Sequence, residues 1–452
     1  MSVNLQGFAD KLFSAAKAAG FTEYEIYYAA GTTETYRVYG GEIAEYKSAG
    51  ADGLSFRGMY GGKMGYASSE HIAEDVIPFL INSAKQNAEI IDSEDAEVLY
   101  AGDAVYPAVC TYNEALDAVS SETKAKAALE MEHVALQTDA RVKGVSYCLL
   151  TNGEGSVYIA NSKGLQLSHN GNYAMAYVVP NVEENGVVQT GFEIFAGNEW
   201  KDFHPAEIAE RAVARAVSKL NAATVKSGTY DILFHQEAMV DLLDTFAGVF
   251  SADNVQKGFS LLAGKLGEAV ASEAVTIRDD ALLENALGSA PFDSEGVAAK
   301  NKVVVERGVL KTYLHNTKTA AKDGIPSTGN GFKASFRAAV GIQPTNFYIV
   351  PSETPYEALV ERLGNGLVIV ELEGLHAGAN EISGDFSLSA KGFRIENGAV
   401  GGAVEQITIA GNFFAVLKQI EAVGIDFRFG MPGGGNIGAP SAIVRGMSVS
   451  GN

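Results

Sequence analysis

Residues 237–250 read EAMVDLLDTFAGVF, and apolar side chains recur in this run at every third or fourth position. On a helix, that spacing forms one continuous apolar stripe that packs against a core. The stripe consists of Met239, Leu242, Leu243, Phe246, Val249 and Phe250. A strand-like run, Tyr230–Phe234, comes just before it. We therefore predict that a strand and a buried helix open the largest unit of the chain.

The sequence beyond this helix predicts mostly β-structure. The chain contains 50 glycines, and glycines between short apolar runs are typical of antiparallel sheets with many hairpins. Helices are predicted near Pro355–Leu363 and Phe413–Val423. Residues 223–452 are thus predicted to form a large, glycine-rich, mostly antiparallel β unit with a few helices.

The N-terminal unit, residues 1–115, is predicted to fold as a helix, an antiparallel meander and a second helix. The helices Leu5–Ala19 and Glu70–Asn87 carry apolar residues at helical spacing. Residues 92–113 are predicted to be an irregular boundary. Glycine turns divide the meander into five short predicted strands, Tyr24–Ala30, Thr33–Gly40, Glu42–Ser48, Gly53–Met59 and Lys63–Ala67.

The middle unit, residues 116–222, is predicted to place short strands between the helices Ser121–Thr138 and Pro205–Leu220. Asn161–Gly164 is the predicted hairpin turn between two of these strands. Helices and antiparallel strands that are segregated in this way place the chain in the α+β class. The predicted strands are Val145–Thr151, Ser156–Ala160, Gly164–Gly171 and Tyr173–Pro180.

Composition and charge argue against several classes of function. No apolar run approaches the roughly 18 residues of a membrane-spanning helix, and residues 1–5 lack the features of a signal peptide. Cys110 and Cys148 are the only cysteines, which suits a reducing compartment. The net charge of −21 repels phosphate backbones. We therefore expect a soluble cytoplasmic protein that binds neither membrane nor nucleic acid.

Six short strings follow one another in the C-terminal unit. They are GSAPFDSEGV at 288–297, STGN at 327–330, GLHAGAN at 374–380, SGDFS at 383–387, GFRIENG at 392–398 and ITIAGN at 407–412. Each alone is a turn or strand fragment. In this order they resemble the TldD/PmbA family of peptidases, and its PmbA (TldE) branch more than its TldD branch. The resemblance extends to nearly the whole chain.

The resemblance implies that this chain has lost a metal site. In the catalytic branch, the helix that corresponds to residues 237–250 carries His-Glu-x-x-x-His, and a cysteine near the C-terminus is the third ligand. Such a set would suit zinc or iron. Aligned through Leu242-Leu243 and Gly248, the three helix positions are Asp244, Thr245 and Val249. Residues 429–440 contain no cysteine. We expect no metal on this chain, and zinc or iron only in a TldD-type partner.

The resemblance also implies a heterodimeric cytoplasmic peptidase, in a family linked to peptide maturation and to an older label, modulator of DNA gyrase. One subunit carries the metal, and the other helps to enclose an unfolded peptide. We predict that this chain is the non-catalytic, PmbA-like subunit, which offers sheet edges to a peptide strand. Peptide contacts are predicted for His376, in a glycine-flanked turn, and for Asp385.

Three alternatives stay open at this point. The chain could be an active metal-dependent peptidase with atypical ligands around His235, Glu237 and His376. It could be a stand-alone homodimer that binds peptides. A role in binding DNA or gyrase is the third, and the net charge of −21 disfavours direct DNA contact. The spacing of His235 and Glu237 is not that of a zinc motif, and an acid in a first helical turn favours the helix dipole.

Overall fold

Two large β-sheets organise the chain. The computed structural model describes residues 4–92 and 97–452. Residues 1–3, part of the signal-peptide expectation, and residues 93–96 of the predicted boundary lie outside the described residues. The α+β class is confirmed, because helices lie beside mostly antiparallel sheets.

The helices of the described chain are numbered in order. They are α1 (Leu5–Ala18), α2 (Ile77–Ile90), α3 (Glu114–Asp117), α4 (Ser121–Thr138), α5 (Pro205–Ser218), α6 (Gln236–Phe246), α7 (Ala252–Gln256), α8 (Thr317–Asp323), α9 (Tyr356–Leu363), α10 (Leu375–Gly378) and α11 (Phe413–Gln419). Short 3-10 segments occur at Glu74–Val76, Trp200–Asp202 and Ala247–Phe250.

The strands are numbered in the same way. They are β1 (Glu23–Tyr39), β2 (Glu42–Tyr60), β3 (Lys63–Ser69), β4 (Val142–Asn161), β5 (Gln166–Glu184), β6 (Val187–Thr190), β7 (Glu193–Gly197), β8 (Gly228–Phe234), β9 (Ile277–Asp280), β10 (Asn301–Glu306), β11 (Val309–Leu310), β12 (Gly331–Phe332), β13 (Gly341–Ile342), β14 (Asn346–Ile349), β15 (Gly366–Glu373), β16 (Asp385–Glu396), β17 (Ala399–Asn412), β18 (Ile420–Phe429) and β19 (Asn436–Ser450).

The first sheet is antiparallel and crosses the predicted boundary between the N-terminal and middle units. Its strand order is β3-β2-β1-β4-β5-β6, with β7 also paired to β5. β1 pairs with β4 from Glu25 opposite Asn161 to Arg37 opposite Leu149. Helices α1 and α2 pack on one half of a face of this sheet, and α4 and α5 pack on the other half. The two predicted units therefore share one continuous sheet.

Several predicted strand breaks in this sheet are wrong. Gly31 and Gly50 were predicted to lie in turns, yet both lie within the long strands β1 and β2, where Gly31 pairs with Ala51 and Gly155. Glycine permits a turn but does not enforce one, and the hydrogen-bond ladders on either side keep the backbone extended. In the middle unit, four predicted strands are likewise two, β4 and β5.

The second sheet contains a closed ring of strands. β8, β15, β16, β17 and β19 pair in sequence, and β19 pairs back to β8. The predicted helix Phe413–Val423 is wrong at its C-terminal end, because α11 stops at Gln419 and β18 begins at Ile420. Pairing with β19, such as Ile420 opposite Val444, outweighs the helical spacing there.

The apolar stripe of residues 237–250 lies in the core, as predicted. Its six members are each at most 2% exposed. The α-helix ends at Phe246 and continues as the 3-10 segment Ala247–Phe250. Phe246 stacks on Phe413, with ring centroids 4.7 Å apart and planes inclined by 16°. Helix α6 therefore packs into the main core of the second sheet. Helix α9 packs against a separate cluster that includes Leu233 and Val368.

We expect Phe246→Ala to lower the free energy of unfolding by about 3–5 kcal/mol, because it leaves a cavity where a buried ring was packed. Chemical denaturation of the variant measures this loss. Phe79→Ala is the matched control: Phe79 is 56% exposed, and its loss is expected to change stability by no more than about 0.5 kcal/mol. Equal losses for the two variants would contradict this packing.

Candidate functional site

The three positions implied as metal ligands and base do not converge. Asp244 is exposed on the surface of α6. The Thr245 hydroxyl donates to the backbone carbonyl of Asp241 at 2.7 Å. Val249 is 2% exposed and belongs to the hydrophobic core. A transition metal in proteins needs at least three nitrogen, oxygen or sulfur ligands aimed at one point. These side chains therefore do not fit the family's metal.

The remaining ligand types do not supply a substitute. Cys148 lies beneath α4, where burial raises the pKa of its thiol to about 12, and Cys110 is exposed. Residues 4–92 and 97–452 contain no cluster of three or more His, Cys, Asp or Glu side chains arranged to hold a metal.

A cleft of about 560 Å³ lies between the first sheet and α6. Residues of β5, β6, β7 and α5 form one side of it, and residues of α6, β15, β16 and β18 form the other. Phe192 and Met431, which are 39% and 51% exposed, lie among its lining residues. A partly apolar cleft thus lies directly beside α6.

Two arginines and two glutamates form a compact ion-pair network in this cleft. Arg215 contacts Glu193 at 2.8 Å, and Arg428 contacts the same carboxylate at 3.2 Å. Both guanidinium groups also contact Glu237, which lies in the first turn of α6. The network contains two positive and two negative groups, so these charges are balanced.

A second ion-pair network lies on the neighbouring strand β15. Lys219 contacts Glu371 at 2.5 Å, and Lys391 contacts Glu371 at 3.2 Å and Glu373 at 2.7 Å. Burial raises the pKa of Glu371, but the two lysines outweigh this effect and hold the pKa below its usual value. This network is balanced as well.

Asp241 is a carboxylate of the cleft without a partner. Among the described residues, its side chain has neither a hydrogen bond nor an ion pair. Burial raises its pKa to about 7, with further contributions from the negative charges of Glu237, Asp244 and Glu371. Sequence reasoning missed this residue. The signal was available, because Glu237, Asp241 and Asp244 recur at four- and three-residue steps on the helix face opposite the apolar stripe.

His235 lies at the junction of β8 and α6. Its ring packs edge-on against Tyr356, with centroids 5.8 Å apart. Burial lowers its pKa more than the nearby Glu237 raises it. Its Nδ1 is buried and has no hydrogen-bond partner within the described ranges, and the nearest Glu237 carboxylate oxygen is 3.8 Å away. His235 is therefore a neutral ring in the wall of the cleft.

The predicted peptide-contact residues lie elsewhere. His376 is exposed on the short helix α10, and Asp385 is exposed at the start of β16. The side chains of Ser383 and Asn412 each donate to the Asp385 carboxylate at 2.9 Å, and these bonds lower its pKa. A backbone bond of 2.8 Å from Asn380 to Asp385 joins the two segments. Neither predicted residue lines the cleft, so His376 does not join His235 and Glu237.

The string at 288–297 connects the two sheets. Phe292 packs against Tyr27 and other residues of the first sheet, and the Tyr27 hydroxyl is 3.2 Å from the Ser294 hydroxyl. Asp293 accepts hydrogen bonds from three backbone N–H groups, and burial together with Glu295 raises its pKa. The string is therefore part of the contact between the sheets and of a tight turn.

Across the described ranges, no helix combines the length and the apolar character needed to cross a bilayer.

Three family profiles match the chain in succession. They are PmbA/TldA metallopeptidase domain 1 at residues 24–88, the central domain at 114–220 and the C-terminal domain at 227–451. The metalloprotease PmbA homologue of Haemophilus influenzae is 28% identical over 445 residues, covering 97% of this chain and 94% of the relative. PmbA of Escherichia coli O157:H7 is 27% identical over 421 residues, covering 91% and 88%.

Solved structures share the fold. A Thermotoga maritima protein described as a candidate modulator of a DNA gyrase is 33% identical, with a TM-score of 0.91, covering 99% of this chain and 100% of that one. TldE from Thermococcus kodakarensis is 23% identical, with a TM-score of 0.90, covering 98% and 100%. Family profiles, relatives and fold agree with the six strings of the C-terminal unit. The chain belongs to the PmbA/TldD family of metallopeptidases.

Proposed function

We propose that this chain is a non-catalytic, PmbA/TldE-like subunit of a cytoplasmic, two-subunit metallopeptidase that binds and processes unfolded peptides. The observation that carries the proposal is the burial of Val249, which is 2% exposed in the core; the resemblance aligns this residue with the second ligand position of the catalytic branch. A TldD-type partner would supply the zinc or iron.

Two features of α6 and of the 3-10 segment that follows it support an inactive site. Val249 cannot donate an electron pair, and its side chain packs with the core rather than toward Asp244. Asp244 alone cannot hold a transition metal, since such sites use three or four protein ligands. We therefore expect this helix to hold no metal that could activate a water molecule.

An atypical site around His235 and Glu237 has less support. Glu237 is held between Arg215 and Arg428 by two ion pairs. A metal ion would have to displace both guanidinium groups before this carboxylate could act as a ligand. The exposed His376 lies outside the cleft.

The first sheet supports a role in peptide binding. In the described chain, β6 and β7 pair with β5 and with no strand on their other side. An extended peptide that adds to such an edge gains backbone hydrogen bonds that depend little on its sequence. Residues of both strands also line or border the cleft beside α6. We also propose His376, on α10, and Asp385, at the start of β16, as peptide contacts outside the cleft.

The loop after α7 supports the proposal of a partner surface. Phe259, Leu261 and Leu266 are each at least 50% exposed. The Ser260 hydroxyl donates to the backbone carbonyl of Val249 at 2.6 Å, which ties this loop to the end of the α6 segment. Exposed apolar clusters of this kind mark protein contacts. A TldD-type subunit seated here would place its own site next to α6.

We expect the purified chain to leave an unfolded protein substrate intact, and a mixture with a TldD-type subunit that carries His-Glu-x-x-x-His to cleave it. Cleavage should stop when a chelator is added, because the partner supplies the metal. Mass spectrometry of the products measures the reaction. The partner alone is the control. Chelator-sensitive cleavage by this chain alone would overturn the proposal.

We expect Leu261→Asp to weaken assembly with the TldD-type subunit by at least about tenfold, because it buries an unpaired charge in the contact. Analytical ultracentrifugation at a series of concentrations measures the affinity. Leu136→Asp is the control, since Leu136 is 39% exposed on α4, away from this loop. Native assembly by the Leu261 variant would place the contact elsewhere, and a stable homodimer without the partner would favour the stand-alone alternative.

A further inference from the structure

The cleft beside α6 combines an apolar wall with a single unbalanced charge. Its apolar side chains come from both sheets, from the loops after β6 and β18 and from α6; they are Val179, Phe192, Ile194, Val240, Val370, Phe393 and Met431. The volume of about 560 Å³ lies within the range of pockets that take small ligands or side chains. An occupant must therefore offer apolar atoms to most of the surface.

The positive groups of the cleft are already engaged. Arg215 and Arg428 share Glu193 and Glu237, and Lys219 is paired with Glu371. A phosphate or carboxylate ligand would have to displace one of these internal partners. The cleft is therefore poorly suited to an anion.

Asp241 is the exception, because no described group neutralises its carboxylate. The charged groups around it are Glu237 and Asp244 on α6, Glu371 on β15, Arg215 on α5, Lys219 just after α5 and Arg428 on β18, with His235 between β8 and α6. The cations among them are paired with other acids. A half-buried carboxylate without a partner is stabilised when a cation binds beside it.

We propose that this cleft is a subsite for a basic side chain of the bound peptide, with the aliphatic stem on the apolar wall and the terminal cation on Asp241. Lysine and arginine have this combination of an apolar stem and a charged end. A purely apolar side chain would fill the wall and leave Asp241 desolvated and unpaired. The inference rests on the proposed peptide-binding function and adds to it a preference for peptides that contain lysine or arginine.

The test compares two unfolded, fluorescently labelled twelve-residue peptides that differ in one group. One contains a single Leu-Lys pair among glycine, serine and alanine, and the other carries Nε-acetyl-lysine at the same place. Fluorescence anisotropy measures the affinity of each for the full chain. We expect the free lysine to bind about tenfold more tightly, the size of one charge-assisted hydrogen bond.

The Asp241→Asn variant should bind both peptides equally, because it keeps the shape of the side chain and removes its charge. Asp244→Asn is the control, since Asp244 is on the same helix but does not line the cleft, and it should keep the preference. Asp241→Asn removes an unpaired charge, so its melting temperature should not fall. If that variant still fails to fold, the pH dependence of the lysine preference, measured on the native chain, tests the proposal instead.

The preference for free lysine over acetyl-lysine should rise with pH. The pKa of Asp241 is about 7 in the free chain, so the carboxylate is protonated at pH 5.5 and ionised at pH 8.5. The preference for free lysine should therefore be large at pH 8.5 and nearly absent at pH 5.5. Acetyl-lysine should bind no more tightly at pH 8.5 than at pH 5.5, because it leaves the ionised Asp241 without a partner.

The outcomes separate the two proposals. Equal binding of both peptides by the native chain at pH 8.5 would overturn the basic subsite and leave peptide binding intact. A preference that survives in Asp241→Asn, or that does not change with pH, would also overturn it. Failure to bind either peptide would overturn the subsite and the peptide-binding function together.

Discussion

Burial of one stripe of α6 against the second sheet is the constraint on which the rest of the structure depends. Leu242, Phe246 and Val249 are each at most 2% exposed. Because an α-helix has 3.6 residues per turn, burial of the apolar stripe directs Glu237 and Asp241 to the opposite side of the helix, where they line the cleft. Val249 thus completes the core, and its side chain has no electron pair to offer to a metal.

The polar side of the same helix depends on groups from distant parts of the chain. Glu237 is neutralised by arginines of α5 and β18, whereas Asp241, one turn further along, has no such partner in the part of the chain that the structure describes. An unpaired, half-buried carboxylate costs stability, since its ionised form loses hydration. The fold tolerates this cost at the junction of the two sheets, beside strands that have no neighbour on their outer side among residues 4–92 and 97–452.

Local sequence patterns predicted part of this structure. The period of residues 237–250 predicted a buried helix, and the segregated helices and strands predicted the α+β class. The breaks at Gly31 and Gly50 were wrong because the pairing of β1 with β2 and β4 is non-local and overrides the freedom of glycine. In the site, the burial of Val249 followed from its place in the stripe. The acidic face with Asp241 was visible in the sequence, but the lack of a partner for Asp241 was not, because the groups that pair with its neighbours come from distant elements such as α5 and β18.

The central claim is that this chain cannot bind a transition metal at α6. The most direct test is the metal content of the purified chain after incubation with zinc or iron(II) and desalting, measured by inductively coupled plasma mass spectrometry. The account predicts well under one metal ion per chain, with the same residual content in Asp244→Ala. A full equivalent of zinc or iron that is lost in Asp244→Ala would contradict it.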